Sequence, residues 1–263
     1  MKNNKKIVEV AKSKKIEDAN IEENNDLRNK IIIVVVGIIL LILVCFGIKY
    51  VLNNPEEVLD GSKFKEEYEK LNNTELKGTE LKYLELSIDE ESSIKYSSYE
   101  EIFDILDNGT GVIYFGFPEC PWCRALTPVL LDAISESAID KVYYLNNKED
   151  RDILEVDKDK EVVVKKEGTD DYYKLLEKIG DFASDYDLEG AETDSKRLYF
   201  PTVLVVKDGK IVAFHESTLD SQKNPFEEMT EEQKNELKET LSENEQIIVK
   251  ELIEDLEKAL RGE

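Results

Sequence analysis

Two cysteines separated by two residues are the part of this sequence best suited to chemistry. Cys120 and Cys123 lie in the segment Gly-Val-Ile-Tyr-Phe-Gly-Phe-Pro-Glu-Cys-Pro-Trp-Cys-Arg, which covers residues 111–124. The apolar run at 112–117 predicts a buried strand. Pro121 suits the first position of a helix, because its φ is preset and it has no N–H to leave unpaired. A Cys-x-x-Cys between a strand and a helix is typical of thiol–disulfide redox chemistry.

A helix that starts at Pro121 makes Cys120 its N-cap, so the Cys120 sulfur faces unpaired backbone N–H groups and the positive end of the helix dipole. Both effects favour the thiolate, and each unit of pKa depression corresponds to about 1.4 kcal/mol. Cys123 follows one turn later on the same face. We therefore hypothesise that Cys120 is the attacking thiol and Cys123 the resolving thiol. Glu119 would oppose thiolate formation and Arg124 would favour it, and the sequence leaves their balance open.

The residues around the motif predict the elements of a parallel α/β core. Apolar residues alternate with polar ones at 84–88, which predicts a first strand. Ser97 or Ser98 can cap a helix that the Asn-Gly pair at 108–109 ends. With the strand before the motif, the motif helix and an apolar strand at 142–145, the order is β-α-β-α-β.

Two segments of the chain resemble thioredoxins and their relatives. Cys-Pro-Trp-Cys at 120–123 is similar to the Cys-Pro-aromatic-Cys of glutaredoxins, and Pro128 matches a helix-kinking proline of thioredoxins. Phe-Pro-Thr at 200–202 resembles the cis-proline loop that faces the active site in this family. It precedes two apolar strands joined by an Asp-Gly turn at 208–209, as the last two strands of the family would be.

The resemblance implies a thioredoxin-like fold over residues 81–263, with an insertion at 146–200 before the cis-proline strand. It implies no cofactor. A cis Pro201 would leave the Phe200 backbone free to pair with an extended substrate strand. Trp122 would either stack on a substrate or shield the sulfurs. The implied site residues are Cys120 and Cys123 for catalysis, with Pro121, Trp122, Phe200 and Pro201 in support.

Two features depart from the family's pattern. Thioredoxins carry a buried Asp six residues before the first cysteine, where this chain has Tyr114. The group that accepts the proton of the resolving thiol is therefore left unassigned. The insertion at 146–200 is longer than a minimal thioredoxin needs, and it would form either a substrate groove or an enlarged solvated connection.

An uncharged apolar run at 31–48, which Leu52 extends past Lys49, predicts a transmembrane helix at 31–52. Of the residues at 31–48, fifteen are Ile, Leu, Val or Phe, and their insertion into a bilayer gains about 4 to 9 kcal/mol. No small-x-small cleavage site follows the run, which argues against a signal peptide. Five Lys or Arg at 11–30 against three at 53–72 predict a cytoplasmic N-terminus and an extracytoplasmic C-terminal domain.

The predicted organisation thus has four parts. A cytoplasmic tail at 1–30 precedes the transmembrane helix at 31–52, and a thioredoxin-like domain covers 81–263. Between them, residues 53–80 form a linker, for which a helical stalk and a spacer are both open. A capping box at 230–233 and an apolar stripe at 249–260 predict a final helix packed on the sheet.

Charge and composition exclude other classes of function. The net charge is -24, which repels nucleic acid and anionic lipid headgroups. A zinc site needs four ligands, yet the third cysteine, Cys45, lies in the predicted span and His215 is the sole histidine. We therefore predict no metal, and we interpret His215 as a surface residue.

The segment 117–124, the membrane anchor and the acidic stretch ending at 230–234 resemble Gram-positive bacteriocin transport accessory proteins. Together these features predict a membrane-anchored, extracytoplasmic thiol–disulfide oxidoreductase acting on protein thiols and disulfides, with a redox partner protein possible. The alternative is a non-catalytic accessory or scaffold protein for peptide export. The direction of electron flow, the substrate and the oligomeric state are left open.

Overall fold

The computed structural model describes residues 57–137 and 139–242. The described residues all belong to one compact unit. The predicted tail at 1–30, the predicted span at 31–52 and the apolar stripe at 249–260 lie outside the described residues. In the described part, no helix is both long and apolar enough to cross a membrane.

Helices and strands alternate along the described chain. The helices are α1 (Glu57–Glu69), α2 (Tyr99–Asn108), α3 (Pro121–Ser135), α4 (Asp170–Ile179) and α5, of which 231–242 is described. The strands are β1 (Ile94–Tyr96), β2 (Gly111–Phe115), β3 (Val142–Leu145), β4 (Ile153–Val156), β5 (Val162–Lys166), β6 (Ser184–Asp185), β7 (Lys196–Arg197), β8 (Thr202–Lys207) and β9 (Lys210–Glu216).

Five of these strands form a central sheet in the order β1-β3-β2-β8-β9. Strands β1, β3 and β2 run parallel, whereas β8 and β9 each run antiparallel to the strand before them in that order. Helices α2 and α3 connect the parallel strands. The predicted α/β class is therefore confirmed. A β-α-β-α-β order is also present, but its first strand is β1 and not the strand predicted at 84–88.

Both faces of the central sheet are buried. Val112 and Tyr114 of β2 lie in an apolar core that also contains residues of α1, α3 and α5. Ile113 and Phe115 lie in a second core with residues of α2 and α4. Because successive strand residues point to opposite faces, burial of both faces explains why β2 has an unbroken apolar sequence.

Helix α1 is part of the folded unit, although the sequence predicts a linker or stalk at 53–80. Phe64 and Tyr68 of α1 are fully buried in the first core. The ring of Phe64 packs edge-to-face on Tyr144 of β3, with the ring centroids 4.9 Å apart. The folded unit therefore extends N-terminal to the predicted domain start at residue 81.

The strand predicted at 84–88 is wrong, because the first strand of the sheet is β1. Side chains from α1 and the loop after it bind the backbone of this segment instead. Asn72 accepts the N–H of Leu86 at 3.0 Å and donates to its carbonyl at 2.8 Å, and Glu69 accepts the N–H of Ile88 at 2.7 Å. The apolar alternation thus reflects burial of Leu86 and Ile88 in the first core, without strand pairing.

Several short local signals are confirmed. Ser98 caps α2 in a capping box with Glu101. At the start of α5, the side chain of Thr230 accepts the backbone N–H of Gln233, and the side chain of Gln233 accepts the backbone N–H of Thr230. Asp208 and Gly209 both adopt positive φ in the turn between β8 and β9, which suits an Asp-Gly hairpin.

The insertion at 146–200 is a folded layer. It contains two small antiparallel pairs, β4 with β5 and β6 with β7, on either side of α4 along the chain. Tyr172, Leu175 and Ile179 of α4 are buried in the second core. The insertion therefore contributes to the packing of the domain. It is more than a solvated connection, which is one of the two alternatives that the sequence leaves open.

The register of β2 and β8 brings the two motifs of the sequence together. These strands run antiparallel, with Phe115 opposite Thr202. The chain therefore leaves β2 toward the cysteines at the same end of the sheet at which it enters β8 from Pro201.

Candidate active site

Cys120 is the N-cap of α3 and Pro121 is the first residue of that helix, as the sequence predicts. The Cys120 N–H donates to the Phe117 carbonyl at 3.1 Å, which closes the turn after β2. The Cys120 sulfur accepts the backbone N–H of Cys123 at 3.2 Å. It thus occupies the position that a Ser or Asp oxygen takes at other N-caps.

The two cysteines form a closely spaced pair of free thiols. They stand 2.9 Å apart and are not joined by a disulfide. Cys120 retains 7% of its surface exposed, whereas Cys123 is fully buried. Of the two cysteines, only Cys120 is therefore in contact with solvent.

The surroundings shift the pKa values of the two thiols in opposite directions. A hydrogen bond from the Cys123 thiol lowers the pKa of Cys120, and the N–H groups of Cys123 and Trp122 and the charge of Arg151 lower it further, against the opposing effect of burial. Burial raises the pKa of Cys123 well above its ordinary value, and the adjacent Cys120 raises it further. Cys120 is therefore the more acidic thiol and the better nucleophile at moderate pH.

The segment before β8 lies against Cys120. The Cys120 sulfur is 3.7 Å from the Phe200 carbonyl oxygen, to which its thiol can donate. The Phe200–Pro201 peptide bond is cis, which is the conformation that the resemblance implies. The rings of Phe117 and Phe200 meet edge-to-face at 5.2 Å, so apolar surface borders the sulfur.

Arg151 supplies positive charge at the site and is not singled out by the sequence. Its guanidinium lies 4.2 Å above the Phe200 ring and donates to the Leu198 carbonyl at 3.3 Å. The residue belongs to the insertion, and it reaches Cys120 only through the tertiary fold. No local sequence signal distinguishes it from the other charged residues of that stretch.

Arg124 does not have the position that its proximity to Cys120 suggests. Its side chain is fully buried, and its guanidinium donates to the Tyr68 carbonyl at 2.7 Å, to Asn72 Oδ1 at 2.7 Å and to the Leu84 carbonyl at 2.6 Å. These three bonds hold the N-terminal part of the unit onto α3. The charge that assists Cys120 is therefore that of Arg151.

The other residues singled out from the sequence are found as follows. Trp122 is partly exposed, as its place in the first turn of α3 predicts. Pro128 lies inside α3. His215 is in β9 opposite Val203 and is half-buried, whereas the sequence analysis interprets it as a surface residue.

Tyr114 is a polar residue in the core near Cys123. It is fully buried, and its hydroxyl lowers the pKa of Cys123 against the larger raising effect of burial. The same hydroxyl lies 3.1 Å from Thr127 Oγ1 and 3.3 Å from the Tyr68 hydroxyl. The position at which this chain departs from thioredoxins is thus part of the site.

Among the residues that the structure describes, no group of three or more His, Cys, Asp or Glu side chains could hold a metal ion. Comparison of the chain with protein-family models, curated proteins and solved structures found no match. The geometry of the cysteine pair is therefore the basis on which a function can be assigned.

Proposed function

We propose that this protein is a thiol–disulfide oxidoreductase of the thioredoxin-like class, which exchanges disulfides with cysteines of other proteins through Cys120. The observation that carries the proposal is the Cys120 sulfur at the N-cap of α3, bonded by the N–H and the thiol of Cys123. These bonds stabilise a thiolate on Cys120, the one residue of the pair that keeps any exposed surface.

The proposed reaction needs only the two cysteines. The Cys120 thiolate attacks a substrate disulfide, and one substrate sulfur leaves as a thiolate that takes up a proton. Cys123 then loses its proton and attacks the Cys120 sulfur of the mixed disulfide, which releases the second substrate thiol. The Cys120–Cys123 disulfide remains, so two electrons have passed to the substrate. The reverse sequence oxidises a substrate dithiol.

Two features of the fold support the thioredoxin-like class. The first is the central sheet order β1-β3-β2-β8-β9, with the cysteine pair directly after its middle strand. The second is the cis Phe200–Pro201 segment against Cys120. This segment would receive the backbone of an extended substrate next to the reactive sulfur.

The test compares Cys120→Ser and Cys123→Ser with the unaltered full chain. Cys120→Ser should abolish reduction of a protein disulfide, whereas Cys123→Ser should form a mixed disulfide at Cys120 that persists. The proposal fails if Cys120→Ser keeps the activity. It also fails if Cys123→Ser forms no adduct with a disulfide substrate.

Membrane attachment and extracytoplasmic placement are part of the proposal. Their support is the apolar run at 31–52 and the excess of Lys and Arg at 11–30. Protease added to intact cells should remove residues 53–263 and leave the tail at 1–30 protected. Protection of the C-terminal domain would refute this orientation.

A second candidate function is that of a scaffold for peptide export, in which the cysteines play no catalytic part. The observation that favours it is the apolar surface of β5, where Val162, Val163 and Val164 are between 37% and 51% exposed. Exposed apolar strands are candidate contact surfaces for a partner. Cys120→Ser separates the two functions, because a scaffold retains its cellular role in that variant and an oxidoreductase loses it.

A further inference from the structure

Arg151 differs from the other two arginines of the described residues in how few of its donors are used. Arg124 donates to three acceptors, and Arg197 lies 3.6 Å from the Asp152 carboxylate. Arg151 makes one hydrogen bond, to the Leu198 carbonyl at 3.3 Å, and no carboxylate of the described residues forms an ion pair with it. Its Nε is buried without an acceptor. Because a guanidinium has five N–H donors, most of those of Arg151 remain for a ligand.

An arginine without an acidic partner is unexpected in so acidic a chain. The sequence has 59 Asp and Glu residues against 35 Lys and Arg, yet Asp152, the neighbour of Arg151 in sequence, pairs with Arg197 instead. Arg151 is half-buried, and a bound anion offsets the cost of holding an unpaired charge away from water. Salt screens a partly buried charge less than an exposed one, so the attraction of Arg151 for an anion is correspondingly stronger.

Phe200 connects this charge to the reactive sulfur. The guanidinium carbon of Arg151 lies 4.2 Å from the centroid of the Phe200 ring, and the carbonyl oxygen of Phe200 lies 3.7 Å from the Cys120 sulfur. In the proposed function, an extended substrate pairs with the backbone of this segment. Side chains two residues apart on an extended strand lie on the same side, about 7 Å from each other. A substrate whose cysteine meets Cys120 can therefore bring a side chain two positions away to the guanidinium.

We propose that Arg151 is a specificity-determining residue of the site, which binds an Asp or Glu side chain within two residues of the reacting cysteine of the substrate. This inference rests on the proposed function and adds the substrate class, namely protein segments in which acidic residues flank the cysteine. A carboxylate matches the planar guanidinium, because its two oxygens can accept two parallel N–H groups. The effect of the Arg151 charge on the Cys120 thiolate is separate, since it acts on every substrate alike.

The net charge of the chain makes the sign of this preference informative. At a net charge of -24, the protein as a whole repels an anionic peptide. Without a local site, a peptide with Glu near its cysteine should react more slowly than one with Gln, so faster reaction of the Glu peptide requires a cation at the site. Lys148 is a second cation near Cys120, with its Nζ 5.0 Å from the centroid of the Phe117 ring, but it lies 3.8 Å from the Glu149 carboxylate.

The test measures the reaction of the reduced full chain with short peptides whose single cysteine is joined through a disulfide to thiopyridine, a neutral leaving group. The Cys120 thiolate attacks the peptide sulfur, the bond to thiopyridine breaks, and the absorbance of the released thiopyridine gives the rate. One peptide carries Glu two residues to either side of its cysteine, and the other carries Gln there. At low salt the Glu peptide should react about 5- to 10-fold faster, the effect of a partly buried ion pair. Added salt should reduce this ratio.

Arg151→Met should bring the ratio of the two rates to one or below. Because the ratio compares two peptides on the same protein, the effect of the substitution on the Cys120 thiolate cancels. Lys174→Met is the matched control for net charge, since Lys174 of α4 lies 4.3 Å from the centroid of the Phe103 ring in α2. It should leave the ratio unchanged. Lys148→Met should also keep the preference for Glu, because Lys148 already has a carboxylate partner.

The outcomes separate the failure of this inference from the failure of the proposed function. A ratio of one or less in the unaltered chain, or a preference for Glu that survives in Arg151→Met, overturns the role of Arg151. Loss of the preference in Lys148→Met also overturns it. If Arg151→Met does not fold, Arg151→Gln takes its place, since it removes the same charge. If both peptides react no faster with the unaltered chain than with Cys120→Ser, the proposed function itself fails.

Discussion

Replacing Arg124 with methionine should weaken the fold and leave the reactivity of Cys120 unchanged. Arg124 is only four residues from Cys120 in the sequence. Its guanidinium nevertheless binds the backbone of the N-terminal part of the unit. Methionine keeps the apolar stem of the side chain in its buried position. The variant therefore removes the charged donors with little change in packing volume.

The size of the effect follows from the three acceptors that lose a donor. Two of them keep another partner: the Tyr68 carbonyl still accepts the Leu71 N–H at 3.3 Å, and Asn72 Oδ1 still accepts the Leu86 N–H at 3.0 Å. The Leu84 carbonyl loses the shortest of the three bonds, at 2.6 Å. Hydrogen bonds to charged groups contribute about 1.5–3 kcal/mol each, and release of the buried guanidinium from its desolvation cost offsets part of their loss. We expect a net loss of about 2–4 kcal/mol in the free energy of unfolding.

Arg151→Met is the matched variant, and it should do the opposite. Arg151 is half-buried and makes one bond of 3.3 Å to a carbonyl, so its loss should cost about 1 kcal/mol or less. Its charge lowers the pKa of Cys120, so that pKa should rise in Arg151→Met and stay unchanged in Arg124→Met. Urea denaturation gives the stabilities, and the pH dependence of alkylation gives the pKa. The reasoning is refuted if Arg124→Met costs less than about 1 kcal/mol, or if it raises the Cys120 pKa as much as Arg151→Met does.

Three further outcomes are expected. Because the pKa of Cys120 is lowered, alkylation of Cys120 in the reduced protein should stay fast below the pH at which alkylation slows in the unfolded chain. The Cys120 thiolate also contributes to the free energy of unfolding above the ordinary thiol pKa, and this contribution is lost as the pH falls through the folded pKa. That loss of stability should be absent in Cys120→Ser. Gly209→Ala should cost about 2 kcal/mol or more in thermal or urea unfolding, because residue 209 has φ +72 and an added Cβ would lie 2.2 Å from the Asp107 carbonyl oxygen; a neutral result would show that this turn can shift. Ser98→Ala should cost about 1 kcal/mol through loss of the capping box with Glu101, and an unchanged urea midpoint would contradict the box.

Local chemistry explains why much of the site was predictable from the sequence. Pro121 suits the first turn of a helix wherever it occurs, so the N-cap position of Cys120 follows from two adjacent residues. The Asp-Gly turn at 208–209 and the capping box at Ser98 likewise depend on residues within a few positions of each other. The fold then needed only the register of β2 and β8 to bring the two motifs together.

The errors arise where long-range packing decides. Residues 84–88 have the alternation of a strand, but Asn72 binds their backbone and removes the need for strand pairing. Helix α1 has a weak apolar pattern, yet Phe64 and Tyr68 complete the first core. Arg151 is one cation in a highly charged insertion, and only the three-dimensional fold brings it to the site.

The N-cap bonds and Arg151 act on the redox equilibrium of the cysteine pair. They stabilise the Cys120 thiolate, which exists in the reduced protein and not in the disulfide, so they favour the reduced form and would make the proposed oxidoreductase a stronger oxidant. At a pH above the Cys120 pKa of both the unaltered chain and Arg151→Met, each unit by which the substitution raises that pKa should lower the reduction potential by about 30 mV. A potential that stays the same while the Cys120 pKa rises would contradict this coupling.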